Sequence, residues 1–129
     1  MELIQFPRIP DPRGSLSFIE KLPFEIKRVY YIYHVTPGAI RGGHAHKTVD
    51  RIFIAMNGIF RVNGIELSRP WEGLRVPPMT WLTLTDFSQG AVCLVLASEE
   101  YDEADYIRDY SEFLALSSGL NRTSAMPRP

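Results

Sequence analysis

The sequence predicts an all-β fold in which antiparallel strands form two packed sheets. Ten prolines and nine glycines are spread along the 129 residues and separate short runs rich in Val, Ile, Tyr, Phe and Leu. This pattern is typical of many strands and few helices. At this chain length it indicates a sandwich, a small barrel or a jelly roll, in which two sheets close each other's edges.

The predicted strands are short and follow one another along most of the chain. They are Ser15–Glu20, Ile26–Val35, Gly42–Ala45, Arg51–Asn57, Ile59–Val62, Ile65–Leu67, Gly73–Val76, Thr80–Thr85 and Ala91–Ala97. Asn63-Gly64 is the strongest turn signal, because this dipeptide accepts the positive φ angles of a two-residue hairpin. Pro77-Pro78 predicts a corner between strands, since proline cannot donate a hydrogen bond to a sheet.

One helix is predicted, near the C-terminus. Asp109 or Ser111 can cap it, and apolar side chains recur at helical spacing in Tyr110, Phe113 and Leu114. Residues 1–117 are predicted to form one domain. Residues 118–129 are small, polar and proline-terminated, and are predicted to be a flexible C-terminal tail.

Composition argues against several classes of function. With 15 acidic and 14 basic residues and no basic run, the chain lacks an extended surface for nucleic acid. The longest apolar stretch, Ala91–Ala97, is far shorter than the ~20 residues that cross a bilayer. The N-terminus does not resemble a secretory signal, and the single cysteine, Cys93, cannot form an internal disulfide. These features predict a cytoplasmic protein.

Two of the three histidines lie in the segment Arg41-Gly42-Gly43-His44-Ala45-His46-Lys47. Because side chains alternate along a strand, His44 and His46 are expected on the same face. The two glycines of the segment leave space for a ligand beside the backbone. Two imidazoles next to Arg41 predict a functional site, the alternative being a polar pair on a solvated face.

One chemical interpretation of the pair is a metal site, because neutral imidazole is the commonest metal ligand. Gly38, His44, His46 and Asp50 are spaced like the first half of a metal-binding cupin motif. The second half should bring another histidine from a later strand, and the sequence contains none there. Metal binding is therefore the weaker interpretation, and no metal ligand is predicted.

The other interpretation is proton transfer. An ordinary imidazole pKa of about 6.5 lets one ring take and return a proton near neutrality. Arg41 can pair with a phosphate or an oxyanion through its bidentate fork. Tyr31 and Tyr33 share one face of their strand, opposite Tyr30, and their phenols could either bind a polar ligand or pack against the fold.

Several segments, taken in order, carry a resemblance to a known family. The main ones are Ile26–Ile32, Arg41–Lys47 and Tyr101–Tyr110. Shorter supporting segments are Asp11–Leu16, Pro70–Leu74, Asp86–Ser88 and Val95–Ser98. From about Asp11 to Phe113, their order and spacing resemble those of the sugar 3,4-ketoisomerases of the WxcM-like cupin family.

The resemblance implies a double-stranded β-helix (a cupin jelly roll) with a short C-terminal helix, usually assembled as a homodimer. It implies an isomerase that moves the keto group of a dTDP-4-dehydro-6-deoxy-hexose from C4 to C3 through an enediol. No metal or redox cofactor is implied, and the product would serve deoxyamino sugars of bacterial surface glycans. By position, His46 and His44 are the implied catalytic residues, with His46 as the base. Arg41, Tyr31 and Arg13 are the implied substrate-binding residues. The segment that contains Arg13 is more similar to the branch of the family that makes the galacto-configured product.

Three positions depart from the family pattern. The Phe60–Leu67 hairpin is tighter than usual, Leu82 follows Trp81 where relatives place His or Arg, and Arg51 stands where relatives often have glutamine. The hairpin and Leu82 leave a second hypothesis open, namely a catalytically inactive cupin that binds a nucleotide sugar. A metal-dependent cupin enzyme is the third hypothesis.

The acidic residues before the helix have no predicted role in the site. They are Asp102, Glu103, Asp105 and Asp109. We interpret them as a solvated connection into the helix, the alternative being that they pair with Arg108 between subunits.

Overall fold

In a computed structural model, which describes residues 1–125 and the side chains of residues 1–118, the chain forms two five-stranded sheets and a separate two-stranded hairpin. The strands are β1 (Glu2–Gln5), β2 (Arg8–Asp11), β3 (Gly14–Ser17), β4 (Arg28–Ile32), β5 (Arg41–His46), β6 (Arg51–Asn57), β7 (Phe60–Val62), β8 (Ile65–Leu67), β9 (Glu72–Val76), β10 (Leu82–Thr85), β11 (Val92–Ala97) and β12 (Tyr106–Ile107). A short 3₁₀ turn, Glu103–Asp105, precedes β12, and the helix α1 (Tyr110–Ala125) follows it.

The two large sheets share one apolar core. Their strand orders are β1-β9-β6-β11-β4 and β12-β5-β10-β7-β8, and neighbouring strands are antiparallel. The core side chains come from both sheets, and include Phe53, Leu74 and Val95 from the first and Phe60, Leu67 and Leu84 from the second. The predicted all-β jelly roll with a C-terminal helix is confirmed.

Both faces of strand β6 are packed against apolar side chains, which makes the strand a rigid support for Arg51, its first residue. Its Phe53 and Ala55 side chains belong to the shared core. Ile52 and Ile54 point the opposite way and pack with Phe6 and Leu96 in a second apolar cluster. Burial of both faces explains why this strand is an almost continuous apolar run in the sequence.

The structure confirms several local predictions. Asn63 and Gly64 have φ angles of 48° and 82° and connect β7 to β8. Asp109 caps α1, because its Oδ1 accepts hydrogen bonds from the backbone N–H groups of Ser111 and Glu112 at 2.7 and 3.2 Å. The turn and the cap depend on residues adjacent in the chain, and the sequence therefore revealed them.

Other elements differ from the prediction. β1 and β2 were not predicted, and β4 ends at Ile32 because the chain turns at His34, where φ is 53°. The helix continues to Ala125 and so includes residues 118–125, whose flexibility stays a prediction. No proline precedes Pro127 in this stretch to interrupt the helical hydrogen bonds. Residues 126–129 of the predicted tail lie outside the described residues.

No helix in residues 1–125 is long and apolar enough to cross a membrane.

Candidate active site

An irregularity in β5 positions the two histidines. β5 pairs with β10, but the register shifts between Leu82, opposite His44, and Thr83, opposite Gly42. Gly42 has a φ of 90°, and a Cβ atom there would lie 2.8 Å from the carbonyl oxygen of Leu82. Only glycine fits this conformation without displacing the neighbouring strand. The bulge therefore depends on a glycine next to the histidines.

The histidine rings lie together, as the alternation of side chains predicted. The ring centroids of His44 and His46 are 5.4 Å apart, and the ring planes are at 86°. His46 is 3% exposed, whereas His44 is half-buried. Nδ1 of His44 and Nε2 of His46 are buried and make no hydrogen bond within the described part of the chain. Both nitrogens are free to meet a ligand.

Asp105 fixes the orientation of His46. Oδ2 of this carboxylate lies 3.1 Å from Nδ1 of His46, and Oδ1 accepts hydrogen bonds from the backbone N–H and the hydroxyl of Thr48 at 3.0 and 2.8 Å. An ionised carboxylate can only accept, so Nδ1 carries the proton and Nε2 keeps its lone pair. Burial raises the pKa of Asp105, but the hydrogen bonds from Thr48 and His46 outweigh it and hold the pKa below its usual value.

Tyr106 forms one wall of the histidine pair. Its ring centroid lies 4.2 Å from that of His46 and 5.0 Å from that of His44, because β12 pairs with β5 and places Tyr106 opposite His46. The guanidinium of Arg108 lies 4.2 Å from the centroid of the Tyr106 ring, and Arg108 also pairs with Glu103 at 2.7 Å.

Sequence analysis missed the roles of Asp105 and Tyr106. It interpreted the acidic run as a solvated connection or as a partner for Arg108 across subunits, but Asp105 is buried and Arg108 pairs with Glu103 of the same chain. The available signal was Ile107, an apolar residue within a polar segment, which indicates a short buried strand.

Arg51 is a buried cationic group of the interior. It begins β6 and is 1% exposed, and its guanidinium carbon lies 5.4 Å from the centroid of the Phe53 ring. Tyr30 lies beside it, yet none of the three guanidinium nitrogens makes a hydrogen bond of good geometry within the described residues.

Both histidines are neutral at pH 7. Burial and, next, the positive charge of Arg51 lower the pKa of His44 to about 4. The same two causes lower the pKa of His46 to about 4, although the hydrogen bond to Asp105 opposes them. Neutral imidazoles can accept a proton without first losing one.

The other predicted site residues are not all near the pair. Arg41 begins the histidine strand and is exposed at its end. Tyr31 is 61% exposed, on the opposite face of β4 from Tyr30, so the structure does not place it with the histidines. The alternation of the two tyrosines was predicted, but the face that points inward is that of Tyr30. Arg13 lies in the exposed turn between β2 and β3, where Nε pairs with Asp11 at 2.9 Å.

The geometry does not support the metal interpretation. Asp50, the third candidate ligand, is bound to Arg75, whose Nε lies 3.1 Å from Oδ1. Within the described ranges, no group of three or more His, Cys, Asp or Glu residues is placed to hold a metal ion.

Comparison with known proteins identifies the family of the chain. Residues 1–118 match the model of the FdtA family, described as WxcM-like, C-terminal. The chain belongs to this family. It is 42% identical over 131 aligned residues to the TDP-4-oxo-6-deoxy-α-D-glucose-3,4-oxoisomerase of Aneurinibacillus thermoaerophilus, covering 93% of this chain and 94% of the relative.

Solved structures of FdtA-like isomerases have the same fold. A 3,4-ketoisomerase from Helicobacter canadensis is 42% identical, with a TM-score of 0.86 over 91% of this chain and 96% of the other. The 3,4-ketoisomerase QdtA from Thermoanaerobacterium thermosaccharolyticum was solved as a histidine-to-asparagine mutant with TDP-4-keto-6-deoxyglucose. It is 40% identical, with a TM-score of 0.85 over 92% of this chain and 94% of the other. The present chain is an isomerase of this family.

Proposed function

We propose that this protein is a 3,4-ketoisomerase of a TDP-linked 4-keto-6-deoxyhexose that works by histidine acid/base catalysis. The observation that carries the proposal is the sheltered pair of neutral imidazoles, His44 and His46, with a free ring nitrogen on each. The substrate class is supported by the complex of the related QdtA mutant with TDP-4-keto-6-deoxyglucose.

The reaction needs only proton transfers. A base removes the proton on C3, and the electron pair of that C–H bond forms a C3–C4 double bond while the C4 carbonyl oxygen becomes an oxyanion. This oxygen is then protonated, the C3 hydroxyl loses its proton, and C4 gains one. The net change moves the ketone from C4 to C3 and needs no oxidant or reductant.

The two rings support different assignments of the base. Asp105 stabilises an imidazolium on His46, which agrees with the sequence-based prediction that His46 takes the C3 proton. His44 is the more exposed ring, so a sugar entering the jelly roll meets it first. In that arrangement His44 takes the proton, and His46, at 5.4 Å between ring centroids, supports it. Separate substitution of His44 and His46 distinguishes the two assignments.

Hydrogen exchange tests the proposed activity. In D₂O, incubation of TDP-4-keto-6-deoxyglucose with the protein should replace the C3 proton by deuterium and produce the 3-keto isomer, both followed by NMR. His34→Asn is the matched control, because His34 is exposed and lies outside the pair. Absence of both exchange and product with the wild-type protein would overturn the proposal.

Leu82 favours one other candidate, a cupin that binds a TDP-sugar without converting it. This residue lies opposite His44 and is buried in the apolar core, so it supplies no proton donor beside the histidine. Binding of TDP-4-keto-6-deoxyglucose by calorimetry, combined with neither deuterium incorporation nor 3-keto product, would select this candidate over the isomerase.

We also propose that the protein is a cytoplasmic homodimer. β4 lies at the edge of its sheet, and its outward-facing Val29 and Tyr31 are exposed. The β2–β3 hairpin carries exposed apolar Ile9 and Leu16 side chains. Light scattering after gel filtration should give about twice the chain mass of 14.7 kDa, and a monomer mass at micromolar concentration would contradict the proposal.

A further inference from the structure

Arg51 is buried in a way that arginine side chains rarely are. It is the largest of the fully buried side chains in the described part of the chain, at 1% exposure. Its strand is paired on both sides, with Ala97 of β11 and Val76 of β9 opposite it. Nε, Nη1 and Nη2 are all buried, and none makes a hydrogen bond of good geometry among the described residues, although the Tyr30 phenol lies beside the guanidinium.

Burial of a charged arginine without an opposite charge lowers the stability of the fold. Guanidinium remains charged in proteins, and a buried charge normally requires an opposite charge and a full set of acceptors. Within residues 1–118 no carboxylate forms an ion pair with Arg51, and Asp105, which is near enough to act on its charge, is bonded to His46 and Thr48. Among residues 1–118 the guanidinium therefore has no anionic partner, and a negatively charged oxygen of a bound ligand would complement its charge.

The depth of Arg51 identifies which part of a nucleotide sugar could supply that anion. Arg51 lies over the Phe53 ring inside the jelly roll, near enough to both histidines for its charge to lower their pKa values. The diphosphate carries its charge throughout binding and would be stabilised by a cation outside the core, such as the exposed Arg41 at the start of β5. Only the sugar ring, at the end of the ligand, would enter as far as Arg51.

We propose that Arg51 is a catalytic residue that stabilises the oxyanion formed on the sugar during isomerisation. This inference rests on the proposed function. When the C3 proton moves to a histidine, the C–H electron pair forms the C3–C4 double bond and negative charge appears on the former C4 carbonyl oxygen. The Arg51 N–H groups donate hydrogen bonds to this oxygen until it takes up a proton. A fixed donor in a water-poor interior stabilises such a charge more than a solvated one does.

Arg51 is suited to this role because it is already in place. Both faces of β6 are packed, through Phe53 on one side and Ile52 on the other, so the backbone that carries the guanidinium does not need to reorganise. The positive charge also disfavours protonation of His44 and His46, so both rings are neutral before the substrate binds.

Two substitutions test the proposal. Arg51→Met removes the charge and keeps the length, whereas Arg51→Lys keeps the charge. We expect Arg51→Met to lower kcat about 100- to 1,000-fold, the range for loss of an oxyanion donor, with little change in KM. Its thermal midpoint should equal or exceed that of the wild type, because an unpaired buried charge has been removed. Arg51→Lys should retain at least about 10-fold more activity than Arg51→Met.

The pH profile gives an independent readout. Arg51→Met should move the acidic limb of kcat/KM to higher pH, because the charge that lowers the pKa of both histidines is lost. The other charged or titratable groups around the rings, which are Tyr30, Glu103, Asp105, Tyr106 and Arg108, remain in place. The matched control is Arg61→Gln, at an exposed arginine that pairs only loosely with Glu66 at 3.9 Å. It should leave kcat and the pH profile unchanged.

Three results would overturn the inference. In the first, Arg51→Met has wild-type kcat. In the second, KM rises while kcat is unchanged, which would make Arg51 a binding residue. In the third, both variants lose activity and also unfold at lower temperature, which would make the role structural. If the wild type gives neither deuterium exchange nor 3-keto product, the proposed function fails and this inference with it. If the wild type is active and Arg51→Met has the same kcat, only this inference is refuted.

Discussion

Nδ1 of His46 lies 3.1 Å from Oδ2 of Asp105, although the two residues are 59 positions apart in the chain. The contact exists because β12 adds to the sheet beside β5, and Asp105 immediately precedes β12. It selects the ring tautomer in which Nε2 carries the free lone pair, and it provides a negative charge that stabilises the ring when it takes up a proton.

Loss of the Asp105 charge should impair turnover. In Asp105→Asn the amide keeps an acceptor for Thr48, but it can also present N–H groups to His46 and so allow the wrong tautomer. We expect kcat to fall by about 10- to 1,000-fold, since comparable substitutions beside catalytic histidines have effects of this order. Steady-state kinetics with TDP-4-keto-6-deoxyglucose measures the effect.

Asp102→Asn is the control for this prediction. Asp102 lies in the same segment but is exposed, and its side chain accepts a hydrogen bond from the Ala104 backbone N–H, which asparagine can also do. Equal activity of the Asp105→Asn variant and the control would show that the carboxylate at Asp105 is not needed.

Separate substitution of the two histidines should identify the base. The ring that removes the C3 proton is required for deuterium exchange at C3, whereas the other ring is required only for later steps or for orientation. We expect one of His44→Asn and His46→Asn to lose exchange and product formation together. The other should retain exchange while product formation slows.

Product and C3 deuterium are both followed by NMR in the same samples. Wild-type rates of exchange and product formation in both variants would contradict histidine catalysis altogether. Circular dichroism of each variant shows that a loss of exchange does not come from unfolding.

The folded protein should become less stable in mild acid, because the two histidines take up protons in the unfolded chain at a higher pH than in the folded protein. Their pKa values are about 4 in the folded protein, mainly because of burial, and return to the ordinary value of about 6.5 in the unfolded chain. Between these pH values the unfolded chain binds more protons than the folded one. The free energy of unfolding therefore falls as the pH decreases from 6.5 to 4.

Urea unfolding at pH 7 and pH 5 tests this pH dependence. His46→Asn should lose less stability than the wild type over this interval, because one of the two responsible groups is gone. His34→Asn, at an exposed histidine, should lose as much as the wild type does. A pH dependence that is the same in all three proteins would contradict the assignment.

The two glycines before His44 should differ in their tolerance of alanine. Both have positive φ angles, of 90° for Gly42 and 71° for Gly43, so both substitutions strain the backbone. Only at Gly42 would the new Cβ atom also meet backbone, 2.8 Å from the Leu82 carbonyl oxygen, whereas nothing lies within 4 Å of a Cβ atom at Gly43.

Gly42→Ala should therefore reduce the free energy of unfolding by at least about 1 kcal/mol more than Gly43→Ala. It should also reduce kcat more, since His44 lies on the displaced segment. Urea unfolding and steady-state kinetics provide the comparison. Equal effects of the two substitutions would show that β5 and β10 can move apart at Gly42 without loss of stability or activity.

The sequence by itself determined the features that depend on neighbouring residues. The alternation of a strand placed His44 and His46 on one face, Asn63-Gly64 specified a hairpin, and Asp109 marked the start of the helix. These outcomes follow from backbone geometry and hydrogen bonds that reach only a few residues along the chain.

Only the tertiary structure decided which residues surround the histidines. Alternation separated Tyr30 from Tyr31, but the packing of the two sheets determined that Tyr30 faces inward. The sequence showed Arg51 as a departure from the family pattern. Only the fold revealed that its guanidinium is buried, close enough to the histidines to lower their pKa values, and without a hydrogen bond of good geometry among the described residues. Asp105 reaches His46 through a strand pairing across more than fifty residues of sequence. Such pairings depend on burial and on the positions of distant strands, which no local pattern of residues encodes.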